Sequence, residues 1–142
     1  MKFTTYKARD VMREPIVISA DTRISEAIER IINEGIGSLL VVNAGKPVGI
    51  VTKRDLLWAL VYGKKDPEKD TVDKIMSENL VTVEPDTDLA IVINKMITNN
   101  ISHIPVVEND KVVGIISDRD LVELLGDLIE IVEASKTETV SE

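Results

Sequence analysis

The sequence predicts an α/β (α+β) fold built from two pseudo-twofold-related β-α-β-β-α units. Three observations lead there: the chain repeats itself, each copy alternates between strand-like and helix-like apolar spacing, and a unit of about 50 residues is too small to bury both faces of a sheet alone. Shifting the 142-residue chain by 65 positions aligns residues 21–60 with 86–125, and 15 of the 40 pairs are identical. They are Asp21/Asp86, Thr22/Thr87, Ile28/Ile93, Ile32/Ile97, Ile36/Ile101, Val41/Val106, Val42/Val107, Lys46/Lys111, Val48/Val113, Gly49/Gly114, Ile50/Ile115, Arg54/Arg119, Asp55/Asp120, Leu56/Leu121 and Leu60/Leu125. Unrelated segments of average composition share roughly two or three. Upstream the shift falls to 64, matching Met12/Met76, Glu14/Glu78 and Val17/Val81, because Pro85 is an extra residue in the second copy.

Each copy opens on a short β-branched apolar run, residues 15–18 or 80–83, read as a strand. Asp21-Thr22 and Asp86-Thr87 then have the composition of helix N-caps. Apolar residues follow at helical spacing, Ile24, Ile28, Ile31 and Ile32 in one copy and Leu89, Val92, Ile93, Met96 and Ile97 in the other. Gly35 and Asn100 fall where these helices should stop, and they are the residue types that best tolerate a left-handed C′ position. Two strands come next, 36–43 and 46–52 around Ala44-Gly45, or 101–108 and 111–117 around Asn109-Asp110. A second helix is expected over 53–62 and from Asp118 onward. The expected organisation is a first unit at 8–62, a charged, Pro-containing linker at 63–71, a second unit at 72–125, and a helical extension and tail at 126–142. In that extension Leu128, Ile131 and Val132 would face a partner, and residues from Lys136 onward look frayed.

Composition narrows the function. The 17 Lys and Arg against 25 Asp and Glu give a net charge of −8, which on average repels nucleic-acid backbones and anionic membrane surfaces. Aromatic residues make up 3%, too few to stack single-stranded bases. The absence of cysteine removes disulfides, thiol nucleophiles and Cys-based metal sites. No apolar stretch reaches the roughly 18 residues of a membrane span and the N-terminus lacks a signal-peptide core, so the expected address is the cytoplasm.

The segments Gly49-Ile-Val-Thr52-Lys-Arg-Asp55 and Gly114-Ile-Ile-Ser117-Asp-Arg-Asp120 carry the site reading. Thr52-x-x-Asp55 and Ser117-x-x-Asp120 have the spacing of capping boxes at strand-to-helix junctions, worth about 1 kcal/mol each. Nothing resembles a phosphate loop, and Gly35-Ile-Gly37 reads as a helix stop. His103, the one histidine, has no neighbouring nucleophile or ligand cluster to suggest catalysis or metal binding.

These duplicated strand ends, with preceding strands of the type Ile-x-x-(Leu/Ile)-(Leu/Pro)-Val-Val, resemble a tandem pair of cystathionine-β-synthase (CBS) domains, the Bateman module, over about residues 8–125. The resemblance implies a non-catalytic regulatory module that needs no cofactor. It implies adenosine-containing ligands, AMP, ADP or ATP, bound between the copies and reported to a regulated protein of unknown identity. An S-adenosylmethionine sensor and a structural adaptor without nucleotide are the alternatives, and an enzyme is the remaining class. The family pattern makes Asp55 and Asp120 ribose ligands and gives Thr52 and Ser117 phosphate or ribose oxygens; a cap and a ligand contact are compatible roles. It also places Leu80 and Val81 at the Asp55 site and Ile16 and Val17 at the Asp120 site for adenine, with Ile36, Ile50, Ile101 and Ile115 as similar cases beside the alternative of plain core. His103 stands where the family often carries a base for phosphate, whereas the first copy has Ser38. Arg54 and Arg119 lie within the motif and stand among the ligand candidates, but like Lys7, Arg9, Arg13, Lys53 and Lys74 they read as solvated surface charges before ligands. Homodimers are expected through Leu56, Leu57, Leu60, Leu121, Leu124 and Leu125, with Trp58 and Tyr62 packing or lining the interface.

Overall fold

The protein is described by a computed structural model covering residues 5–140. Helix α1 (Ala8–Val11) leads to β1 (Val17–Ser19), α2 (Ile24–Glu34), β2 (Ser38–Asn43), β3 (Lys46–Thr52) and α3 (Lys53–Val61). A 3-10 turn at Val72–Lys74 precedes α4 (Leu89–Thr98), β4 (His103–Glu108), β5 (Lys111–Ser117) and α5 (Asp118–Val140). β1 pairs parallel with β2, which pairs antiparallel with β3; β4 and β5 repeat the antiparallel hairpin. Both hairpins shift register at the same place, between Val41 and Val42 and between Val106 and Val107. Their turn residues, Ala44 and Gly45 at φ 52° and 80° and Asn109 and Asp110 at 52° and 63°, are all left-handed, as a two-residue type I′ connection requires. Gly35 and Asn100 also adopt left-handed φ at the helix ends where the sequence puts them.

The strand expected at 80–83 is absent; Val83 alone makes a parallel bridge to Val106. The cause is one residue. In the first unit the Leu40 N–H donates to the Ile16 carbonyl at 2.9 Å, and Pro105 stands at the position equivalent to Leu40, with no N–H to give.

The expected caps at Asp21-Thr22 and Asp86-Thr87 also differ. Arg23 and Asp88 hold the N-cap positions of α2 and α4, without a side-chain cap bond. The first N–H groups of α2 donate instead to distant carbonyls, Ile24 to Asp70 at 3.0 Å and Ser25 to Pro67 at 2.9 Å, while Leu89 at the start of α4 donates to Tyr6 at 2.9 Å. Segment 63–71 is therefore part of the first unit's structure as well as a connection.

These bonds belong to a reciprocal exchange. Val72 N–H donates to the Thr22 carbonyl at 2.8 Å, and Ala8 N–H to Thr87 at 2.9 Å. Val72, fully buried, completes a core with Ile18, Ile24, Leu39, Val41 and Val51, with Ile75 and Met76 packed against it. Ala8, also fully buried, joins Leu89, Val92, Ile104, Val106 and Ile116, with Tyr6, Val11 and Met12 against them. Each unit's leading segment thus fills the other unit's core. A Cβ built on Gly49 would lie 2.5 Å from Met76 Sδ, and one on Gly114 2.5 Å from Met12 Sδ, so both glycines make room for the exchanged methionines. The exchange ties the two units into one body.

Of the leucines expected at a dimer interface, Leu56 lies in the first core and Leu121 and Leu124 pack against the second, because the leading face of each second helix is needed to close its own unit. Leu57, Trp58, Leu60, Val61 and Tyr62 are exposed, as are Val122, Leu125, Ile129, Ile131 and Val132, whereas Leu128 is buried. Helix α5 runs through Gly126 to Val140 rather than fraying at Lys136, and residues 141–142 lie outside the described part. No helix among the described residues is long and apolar enough to cross a membrane.

Candidate functional site

β3 and β5 end at equivalent points, and each hands over to a helix through the same three bonds. Thr52 donates to Asp55 Oδ2 from its N–H at 2.8 Å and from its hydroxyl at 3.0 Å, and the Asp55 N–H returns to Thr52 Oγ1 at 3.3 Å. In the second unit the corresponding distances between Ser117 and Asp120 are 2.9, 3.0 and 3.2 Å. The capping boxes read from the sequence are therefore formed, and each leaves one carboxylate oxygen, Oδ1, outside the cap.

Both boxes open into one cavity of about 550 Å³ between the units, within the range of small-molecule sites. It brings together Thr52, Asp55, Arg54, Ile36, Ser117, Asp120, Arg119, Ile101 and His103, with Ile50 and Ile115 as further apolar wall. The adenine candidates on the first strands are not part of it. Ile16 packs against the first core and Val81 against the second. Val17 is 46% exposed and Leu80 half-buried, neither lining the cavity. In β1 the alternation turns Ile18 inward and Val17 outward, and residues 80–82 have no strand to aim them.

The cavity also holds Arg13 and Lys53, expected as solvated surface charges, together with Ser77 and Asp118. Its lining carries Arg13, Lys53, Arg54 and Arg119 against Asp55, Asp118 and Asp120, a cationic balance inside a chain of net charge −8. Arg13 and Ser77 occupy equivalent places, each exchanging a pair of backbone bonds with the middle of a β-strand. Arg13 does so with Ile115, at 2.9 Å in both directions, and Ser77 with Ile50, at 2.9 and 3.0 Å. From there Arg13 Nε reaches Asp120 Oδ1 at 2.5 Å and Nη2 reaches Glu123 Oε2 at 2.8 Å. Asp55 has no ion pair among the described residues. Aligning residues 13 and 77 in the 64-residue register would have exposed this difference.

His103 is half-buried, its Nδ1 without a hydrogen-bond partner among the described residues. A Cβ on Gly37 would lie 2.8 Å from its Nε2, so Gly37, two residues past the Gly35 C-cap of α2, leaves room for the imidazole. Burial lowers the His103 pKa from its ordinary value; Asp118 and Asp120 oppose that shift and Lys53 adds to it. Among the described residues no group of three His, Cys, Asp or Glu side chains could hold a metal ion.

The CBS domain family model matches residues 8–62 and 72–127. The L-aspartate semialdehyde sulfurtransferase of Methanocaldococcus jannaschii is 35% identical over 129 residues, covering 89% of this chain and 24% of that protein. An uncharacterized protein of Methanopyrus kandleri is 31% identical over 127 residues, covering 87% of this chain and 65% of that one. The chain thus spans less than two thirds of either relative. Among solved structures, the CBS domain pair of protein MJ0100 in complex with 5′-methylthioadenosine and S-adenosyl-L-methionine superposes with a TM-score of 0.79 at 34% identity, covering 86% of this chain and 97% of that one. An uncharacterized conserved protein from Pyrococcus horikoshii gives 0.78 at 32% identity, covering 87% and 94%. With two matches in tandem and a fold shared with a solved domain pair, the chain belongs to the CBS domain family as a tandem pair of CBS domains.

Proposed function

We propose that this domain pair is a non-catalytic regulatory module that binds an adenosine-containing ligand, AMP, ADP or ATP, between its units and reports the bound state to a partner protein in the cytoplasm. The observation that carries this reading is the convergence of both Thr/Ser-x-x-Asp boxes on one cavity. An ionised carboxylate accepts hydrogen bonds from the two hydroxyls of a ribose, the isoleucines offer apolar faces to a purine, and the surrounding cations complement phosphate. Calorimetric titration with AMP, ADP, ATP and adenosine, beside mass spectrometry of small molecules released from natively purified protein, is expected to show a phosphorylated adenosine compound bound.

A second reading, an S-adenosylmethionine sensor, is favoured by the MJ0100 domain pair, whose structure holds that ligand. Binding of S-adenosylmethionine without any of the nucleotides would transfer the role to it. Failure of every compound would leave an adaptor with an empty cleft, and turnover of a bound nucleotide would make the protein an enzyme.

The module is also expected to form homodimers through the exposed faces of α3 and α5, where Leu57, Trp58 and Val61 and Val122, Leu125 and Ile129 present apolar surface to solvent. Light scattering at micromolar concentration should give twice the 15.7 kDa chain mass, and a monomer contradicts it.

A further inference from the structure

The two half-sites offer a ribose unequal carboxylates. In each, Oδ2 is committed to the helix cap, so a ligand hydroxyl must rely on Oδ1 for a free acceptor. Asp55 Oδ1 has no partner among the described residues. Asp120 Oδ1 is held by Arg13 at 2.5 Å, and the Asp120 side chain is only 6% exposed, which leaves a ligand no second approach. Arg13 itself is 59% exposed and keeps a second anchor at Glu123, so it can swing away without stranding its charge.

The geometry points to Arg13 as a competitor for the ligand ribose at Asp120, a device that makes the Asp55 half-site, with Ser77 in the equivalent place, the one that loads first. This rests on the reading of the cavity as an adenosine site. Arg13 is a specificity-determining residue that acts by occupying the acceptor the ligand needs. The competition is strongest for a nucleoside, because a phosphorylated ligand supplies an anion to the displaced guanidinium.

The test isolates each half-site by blunting the other. In an Asp55→Asn background, where the cap can still form, adenosine binding to the full chain is measured by calorimetry with and without Arg13→Ser, which installs the residue type the other copy uses. The substitution should tighten binding about fivefold, the upper range for an ion pair with a solvent-facing partner. Arg13→Gln, which keeps the length and removes the charge, should act in the same direction. In an Asp120→Asn background, Ser77→Arg should weaken adenosine binding at Asp55 by a similar factor. Adenosine affinity left unchanged by both Arg13→Ser and Arg13→Gln overturns this inference and leaves the functional reading standing. Absence of binding by any adenosine compound, in wild type and in all variants, overturns both.

Discussion

In the first unit the capped carboxylate of Asp55 faces a cavity flanked by Ser38 and Ser77; in the second, Asp120 is gripped by Arg13 with His103 close by. The cap distances agree within 0.1 Å between the two, 2.8, 3.0 and 3.3 Å against 2.9, 3.0 and 3.2 Å. The cap pairs have therefore stayed alike, while two pairs that line the cavity, Ser38/His103 and Ser77/Arg13, have diverged. The reason is physical. A cap, a fully buried aliphatic or a glycine under a methionine has few substitutes that leave the fold intact, whereas a cavity-lining side chain can change its charge at little cost to packing.

The sharpest way to break that equivalence is in the cores. Leu39 and Ile104 are counterparts, both fully buried. Leu39→Ala and Ile104→Ala should each lower stability by about 2–5 kcal/mol in denaturant unfolding, with closely matched losses. A large mismatch would mean that the two units do not bear equal parts of one cooperative structure. A smaller and equally symmetrical effect is expected from the caps. Thr52→Ala and Ser117→Ala should each cost about 1 kcal/mol, because each removes the oxygen that satisfies a first-turn N–H. A cost confined to one copy would show that the matching distances hide unequal strain.

His103 should separate the copies by the smallest margin, and its sign is fixed. Burial holds its folded-state pKa below the unfolded value of about 6.5, so the stability it contributes is fully present above that value and is lost as pH falls through the folded-state pKa. His103→Gln should therefore flatten the fall in stability below about pH 6.5. If the imidazole meets a ligand phosphate, binding raises its pKa, so AMP affinity should climb as pH drops while adenosine affinity changes much less. Identical AMP profiles for wild type and His103→Gln, which also cancel the titration of the phosphate itself, would make His103 a packing residue.

Much of this was legible in the sequence because it is local. The left-handed stops at Gly35 and Asn100, the hairpin turns and the Thr/Ser-x-x-Asp boxes are each decided within a few residues. What was hidden depends on distant chain. The caps of α2 and α4 come from the carbonyls of Asp70, Pro67 and Tyr6, so Asp21-Thr22 and Asp86-Thr87 looked like caps only while those partners were out of sight. The lost strand at 80–83 traces to Pro105, a residue on a neighbouring strand whose missing N–H has no consequence until the register is known. Arg13 looked like a solvated cation because its partner Asp120 belongs to the other copy, far along the chain. The exchange of leading segments explains the caps and Arg13: each unit is finished by residues that precede the other.

The central claim, two ribose carboxylates in one cavity with Asp55 the readier of them, is tested most directly by calorimetric titration of AMP and adenosine into wild type, Asp55→Ala, Asp120→Ala and the double variant. Removing an ionised acceptor should cost about 1.5–3 kcal/mol, roughly a ten- to hundredfold loss of affinity. The account predicts the larger loss of first-site affinity for Asp55→Ala, a lesser one for Asp120→Ala, and no measurable binding in the double variant. Unchanged binding in the double variant contradicts it.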